Sequence, residues 1–500
     1  MRPFRFVPVL VAAALAVGLY FASTRDALAV PSFARKYQTS CQTCHTVFPV
    51  LNPFGEAFRR DGYRFPSQNG SLDSDAIKAS VIALGQQEYE KTFPDSVWPD
   101  KITEAVPLSI MVNGGVPLNL PGSDAKAAAG NTFTWSGIAA EMHIFGAGSF
   151  NDSLTYMTQV TLESNFGAPA STFDIETAYL LWNDIVGPRH LVNLWVGRLW
   201  APQLTSFGLH SDYLADTSMP ATSVAGLYSG NSAGFSLGQG HHDGVELNGI
   251  AAHRLNYALG WVGSSTAVTS AIPNAEDVYA HIGVKSGGVA LDGEGKYGPN
   301  VPDPRKPWAE RSIVFDLFAY HGLTRFDNGT GAVAALTATP AAHTLQDDRF
   351  NAAGAVIHGQ WDSLIMMAGV QMERHERPYR GASAASGGVP GVADYASGTG
   401  YLQYDEIDYV VWPWLVPGVR AEYTQTTVQG QSDGQLLRLI PGIAMLARPN
   451  IKVILSGDLE WGKNLPVVGT WGAAGGALVP TGADAKFQAE TINAAVAVAY

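Results

Sequence analysis

Two cysteines and a histidine stand together at Cys41-Gln42-Thr43-Cys44-His45, and these are the only cysteines among 500 residues. Thiols three positions apart can each add to one vinyl group of a haem, and an imidazole directly after them reaches the iron. The spacing therefore reads as an attachment site for one c-type haem. Cys41 and Cys44 would carry it covalently, and His45 would be the axial iron ligand. Other chemistries fit less well. A disulfide is open to an exported chain, but a thioredoxin-like pair needs a βαβ setting that the flanking residues lack. Zinc needs about four ligands, and one local histidine with two cysteines falls short.

A sixth iron ligand is not evident nearby, because Val30 to Ile110 contain no methionine and no second histidine. If Ile138, Ala140, Met142 and Ile144 face lipid, Glu141 and His143 face a lumen, and so does His358. These histidines, the thioether of Met111, water or an empty position all stay open. A methionine would raise the potential relative to a second histidine.

The elements around the motif are short. Asn52 can N-cap a helix with Pro53 in its first turn, and Gly62 can end it. Phe54 and Phe58 are four apart and share one face of that helix. They would cover a haem face, pack on a neighbouring domain, or both. A segment this small cannot bury much core alone, so it is expected to lean on the rest of the chain.

The N-terminus reads as a secretion signal. Arg2 and Arg5 precede an apolar run from Phe6 to Ala22, and Ala27-Leu28-Ala29 is a small-x-small cleavage site; the run is long for a signal, so an uncleaved membrane anchor is the alternative, and both export the rest of the chain. The expected organisation is a signal peptide 1–29, a monohaem segment 30–75 and a β-barrel 76–500. After residue 30 no apolar run has the ~18 residues that a membrane helix needs. Period-two alternation is instead clear. Leu154, Tyr156, Val160 and Leu162 oppose Thr155, Gln159, Thr161 and Glu163. Leu255, Tyr257, Leu259 and Trp261 oppose Arg254, Asn256 and Ala258. Similar patterns surround residues 420 and 455, and the chain ends on a last such run closed by Tyr500. This pattern fits an outer-membrane antiparallel barrel of about 16 strands, with apolar residues toward lipid. The runs 190–200 and 403–411 alternate poorly. Turn-rich stretches include 113–115, 151–152 and 380–400, and Trp195, Trp200, Trp412 and Trp414 are candidates for interfacial girdles. A soluble β-sandwich would need a second sheet to cover these faces, and no short repeat supports a β-helix.

Charge separates the two parts. The chain nets −13; residues 31–66 net +3 and the leader +2, leaving −18 for the remainder. A basic segment would be drawn to an acidic lumen. The acidic balance argues against a nucleic-acid partner. No phosphate loop, nucleophile–base pair or paired carboxylate suggests other catalysis. His241-His242-Asp243 reads as a polar turn rather than a metal site.

The run Pro31-Ser32-Phe33-Ala34-Arg35, the motif with Thr46, Leu51-Asn52-Pro53-Phe54-Gly55 and Gly62-Tyr63 resemble the outer-membrane monohaem cytochrome–porin fusions, whose best-known members are the cytochromes of iron-oxidising bacteria. The match spans roughly residues 31–66 and is architectural over the barrel. The resemblance implies electron transfer across the outer membrane of a Gram-negative bacterium. Extracellular Fe(II) would be the donor and a soluble periplasmic cytochrome or copper protein the acceptor. If counted as an enzyme, the protein would be a ferrous iron:cytochrome oxidoreductase. Rival expectations are a solute porin with a structural or sensory haem, a soluble periplasmic haem protein, and electron export to an external acceptor.

Overall fold

Alternating sequences become strands whose two faces meet different surroundings, and a closed sheet leaves no edge unpaired. The structure, a computed structural model, describes residues 32–37, 40–48, 50–64, 81–82, 102–103, 108–120, 139–150, 153–165, 171–200, 241–263, 271–272, 276–293, 306, 308–327, 345–376, 397–429, 433–463 and 486–499. The expected signal peptide, the boundary near residue 75, Ile138, Tyr500 and most of the 380–400 stretch lie outside these.

The N-terminal part contains helix α1 (Ser32–Tyr37), a single 3₁₀ turn (Cys41–Thr43), the strands β1 (His45–Val47) and β2 (Val50–Leu51), and helix α2 (Pro53–Arg60). A separate pair, β3 (Val81–Ile82) and β4 (Ile102–Thr103), follows. The remaining strands are β5 (Leu108–Asn119), β6 (Ala139–Ser149), β7 (Leu154–Asn165), β8 (Ser171–Trp182), β9 (Asn193–Trp200), β10 (His241–Ala251), β11 (Leu255–Val262), β12 (Ala271–Ile272), β13 (Asp277–Gly287), β14 (Glu310–Asp327), β15 (Leu345–Asp362), β16 (Leu364–His375), β17 (Gly398–Tyr409), β18 (Leu415–Val428), β19 (Gly434–Arg448), β20 (Ile451–Lys463) and β21 (Lys486–Ala499). Neighbours in sequence pair antiparallel, and β21 pairs with β5 from Thr491↔Asn119 to Ala499↔Met111. The result is a closed barrel of 16 long strands, with the two-residue β12 paired beside β14.

The outward face is apolar, as a lipid-facing wall requires. Val278, Ile282 and Val284 of β13, Ile313, Phe315 and Leu317 of β14, and Val496 and Val498 of β21 are all exposed. Trp182, Trp361, Trp412 and Trp414 are exposed near one rim, and Trp261 and Trp461 near the other. Trp412 and Trp414 thus fit the expected girdle. Trp195 does not: its ring turns inward and stacks on Tyr179, with centroids 5.2 Å apart. The side chain of Trp200 lies outside the described residues.

Connections differ between the rims. At one they are short: 150–153, 183–192, 252–254, 363, 410–414 and 449–450, with 288–309 longer. At the other they run over 120–138, 166–170, 201–240, 263–276, 328–344, 376–397, 429–433 and 464–485, five of them 17 residues or longer. Short turns mark the periplasmic end of such barrels and long loops the extracellular end.

Two expectations need correction. His241-His242-Asp243 is not a turn but the start of β10. His242 is buried toward the lumen, while Asp243 points out and pairs with Arg198 at 3.0 Å. The 403–411 run, which alternates poorly in polarity, alternates cleanly in burial along β17. Its inward face mixes Leu402 and Tyr404 with Glu406 and Asp408, so hydropathy alone hides the period.

Candidate functional site: a Cys-x-x-Cys-His plug in the barrel mouth

Ser40 caps the 3₁₀ turn by accepting from the Gln42 amide at 3.3 Å, and the Cys44 amide donates to the Cys41 carbonyl at 3.2 Å. Cys41 and Cys44 are free, half-buried thiols on this one turn. His45 follows at once, opposite Leu51 in the β1–β2 pair. Burial, with Cys41 beside it, pushes the Cys44 thiol up to about 12, and burial also raises Cys41.

Asn52 ties the turn to α2. Its Oδ1 accepts from the Gly55 amide at 2.9 Å, the expected N-cap. Its Nδ2 donates to the carbonyls of Gln42 and Thr43, each at 3.0 Å. Gly55 then packs directly on the Cys44 peptide: a Cβ there would lie inside the Cys44 carbonyl oxygen's contact distance and 3.0 Å from Leu51 Cδ2. Asp61 caps the C-terminus and Gly62 follows with φ +66°, so the helix ends where expected.

Three substitutions test this cradle. Asn52→Ala removes a cap worth about 1 kcal/mol and both donors to the motif. Asn52→Asp keeps the cap acceptor but not the donors. Covalent haem per barrel, read from the reduced absorbance spectrum, is expected to fall in Asn52→Asp, further in Asn52→Ala, and most in Gly55→Ala. Unchanged loading in all three would mean that the cradle is irrelevant to attachment.

The segment sits in the short-turn mouth as a plug. Val47, Phe48 and Val50 share a buried cluster with Trp308, Ile365, Val410, Val416, Ala444, Leu446, Ile454, Ala497 and Ala499. On the other side Tyr37, Phe58 and Tyr63 join Tyr179, Leu181, Tyr279 and Tyr320. Phe58 therefore packs on barrel side chains, and Phe54 is buried as well. Gln42 Nε2 donates to the Pro413 carbonyl at 3.5 Å, and the Lys452 ammonium lies 6.0 Å from the centre of the Phe48 ring.

Ion pairs fasten the plug to the 183–192 turn. Arg64 reaches Asp61 at 2.7 Å and Asp184 at 2.8 Å. Asp61 is also met by Arg189 and by His190 Nδ1, both at 3.0 Å. Burial and these partners act oppositely on Arg64 and on Asp184; the partners prevail, raising the former and lowering the latter. The expected one-way attraction of a basic plug to an acidic lumen is therefore too simple, because plug acid also meets barrel base. Much of the inner acid is neutralised on the wall itself: Arg438 binds Glu422, Asp458 and Glu460 at 2.8, 2.6 and 3.1 Å.

Within α2, Glu56 pairs with Arg59 at 2.9 Å and Arg60 at 3.1 Å. Burial opposes its ionisation, but the two arginines prevail and hold its carboxyl at about 2. Its contribution to plug stability is thus complete above the ordinary carboxylate range and is lost progressively as pH falls from there through about 2. The seated plug is expected to keep its near-ultraviolet dichroism down to about pH 3, whereas Glu56→Gln loses that acid-dependent term. An identical acid midpoint in both would sink this assignment.

The structure also places the distal-ligand candidates. Met111 turns inward and packs on the cluster containing Val47 and Phe48. His143 is buried on the lumen wall, directly opposite Met111 in the register, with Nδ1 2.8 Å from Thr161 Oγ1 and Nε2 3.4 Å from Glu141. His358, half-buried on β15, feels the charge of Glu56. None of the three is assigned to the iron.

Two half-buried thiols on one turn, a histidine after them and a peptide cradle suit a covalent haem. The motif residues 41–45 are half-buried and Ser40 before them is exposed, while the described residues from Thr46 to Arg64 are mostly buried, so the motif lies on an open face of the plug.

No family profile matches the chain, and no characterised protein matches it by sequence. Solved barrels are similar in shape. An anion-selective porin from Comamonas acidovorans aligns with 79% of this chain and 98% of its own at 11% identity and TM-score 0.47. The trimeric OmpT of Vibrio cholerae covers 79% and 99% at 10% identity and TM-score 0.45, and Pseudomonas putida OprB covers 79% and 94% at 9% identity and TM-score 0.42. The chain is similar to these in its barrel; the aligned share leaves about a fifth of it unmatched.

Proposed function

We propose that this protein is an outer-membrane c-type cytochrome that moves electrons across the membrane through one haem. Cys41 and Cys44 hold the haem by thioethers and His45 ligates its iron. The observation that carries this reading is the position of the chain's one Cys-x-x-Cys-His motif on a plug fixed in the short-turn mouth of a membrane barrel. When bound, the haem supplies one-electron chemistry, and the protein tunes its burial and access. The plug residues hold the motif at the periplasmic mouth, where a soluble cytochrome or copper protein can collect electrons. The donor on the long-loop side is Fe(II) or another reduced species. Electron export runs the same path backwards.

The purified protein in liposomes tests this. The expected result is a covalently bound haem that an external, membrane-impermeant Fe(II) chelate reduces and an enclosed acceptor reoxidises. Free passage of small solutes with no electron crossing would leave the other reading, a solute porin with a structural or sensory haem. A strongly positive midpoint potential is expected if Fe(II) is the donor.

A further inference from the structure

A band of aromatic and carboxylate side chains climbs the lumen wall. It starts where the plug is fastened, with Tyr63 Oη 3.2 Å from Tyr179 Oη. Tyr179 stacks on Trp195 with planes 9° apart. Trp195 is directly opposite Glu246, Glu246 opposite Gly260, Gly260 opposite Tyr279, and Tyr279 opposite Tyr320. Gly260 is where the row needs no side chain, since a Cβ there would occupy the Tyr279 ring. Tyr279 bridges the gap by donating its hydroxyl to Glu246.

Beyond it the rings lie flat on one another. Tyr279–Tyr320 centroids are 6.2 Å apart, Tyr320–Phe350 5.6 Å and Phe350–His375 4.8 Å, with planes within 12°. Tyr320 donates to Asp277 at 2.6 Å. His375 is held by Asp348 at 2.6 Å and Glu373 at 3.1 Å.

The row also gains height. Strands in a barrel tilt by about 35–45°, so a line running straight across them rises along the axis. Trp195 lies two residues from the short-turn end of β9, whereas His375 is the last residue of β16, at the long-loop end. On the plug side Tyr63 stacks on Phe33 with planes 7° apart, and both rings meet Phe58. Phe58 lies on α2, whose cap Asn52 holds the motif. A sugar-stacking slide would expose such faces, but Tyr179, Tyr279 and Tyr320 are each at most 8% exposed and His375 is 3% exposed.

We propose that this row, Tyr63–Tyr179–Trp195–Glu246–Tyr279–Tyr320–Phe350–His375, is the electron path between the long-loop mouth and the plug. The proposal rests on the cytochrome reading for what sits at the plug end. In net terms a one-electron donor at the mouth is oxidised and the ferric haem iron gains that electron; no bond forms or breaks. A tyrosine that transiently gives up an electron passes its phenolic proton to the carboxylate it already touches. Tyr320 uses Asp277 and Tyr279 uses Glu246, and each recovers the proton when re-reduced.

The full chain with attached haem, in liposomes with the long loops outward, provides the test. A membrane-impermeant ferrous chelate is placed outside or inside, and haem reduction is followed by stopped flow. Tyr320→Leu is expected to slow reduction from outside by about tenfold or more and leave reduction from inside unchanged. Tyr320→Phe, which keeps the ring, slows it less. A second readout needs no haem. In the Cys41→Ser/Cys44→Ser chain, flash oxidation by an impermeant photosensitiser outside should give a tyrosyl radical by electron paramagnetic resonance, lost in Tyr279→Phe/Tyr320→Phe. A wild-type rate from outside in Tyr320→Leu, equal slowing from both sides, or no radical each overturns the path. Failure to find covalent haem overturns the cytochrome reading instead, and the radical measurement still decides the path.

Discussion

With Cys41 and Cys44 both changed to serine, the protein folds as a barrel but carries no covalent haem. The expected effect is all-or-none: haem peroxidase staining of the denatured chain disappears. A single cysteine variant keeps at most one thioether, which shifts the reduced absorbance bands of whatever haem remains. His45→Ala is also expected to lose the haem, because the iron loses the imidazole that follows the thiols directly. The barrel survives because its strand register and outward apolar face involve none of these residues. A serine double variant that retains a haem signal through denaturation would falsify the attachment site and, with it, the proposed function.

The second large effect belongs to Asp61. Its carboxylate is 1% exposed and meets Arg64, Arg189 and His190 at 2.7–3.0 Å. Removing one partner from a buried ionic group costs about 3–5 kcal/mol, because the opposite charges stay behind in a dry site. Asp61→Ala is therefore expected to unseat the plug from the 183–192 turn while the barrel stays closed. In planar bilayers the variant should conduct small ions where the parent protein is nearly silent, and trypsin should cut the N-terminal segment from the short-turn side. Asp61→Asn keeps the size without the charge and should behave similarly, if less severely. A variant that still blocks ions and resists trypsin shows that packing around Phe48 and Phe58 alone holds the plug.

Legibility in the sequence follows interaction range. The Cys41–His45 spacing is a local pattern. So are the Asn52 cap, the helix end at Gly62 and the alternation of β11, β18, β20 and β21, and these last stand in the structure where they were expected. The lock between Asp61 and Arg189–His190 spans 128 residues or more, and a lone arginine in a polar turn carries no local mark of its partner. The aromatic row is hidden in the sequence for a related reason. Tyr279, Tyr320, Phe350 and His375 are brought together by strand register, and one residue of slippage would send each to the opposite face. The signal that could have found it is the placement of large rings on the lumen face, where polar residues are the norm. Trp195 reads as a girdle residue because, in sequence, an aromatic near a strand end looks the same whichever way it points.

The seat of the plug also bears on assembly. The hairpin of His45–Leu51 rests on Ala497 and Ala499, and Gln42 reaches Pro413 across 371 positions. Loops of that length close slowly, since their entropy is lost before any contact repays it. The pocket does not exist until β21 has paired with β5. The plug segment is thus among the last parts of the chain to find its native neighbours. During that interval the two thiols hang free of the barrel; on the proposed cytochrome function, that is the window in which a haem would be joined to them.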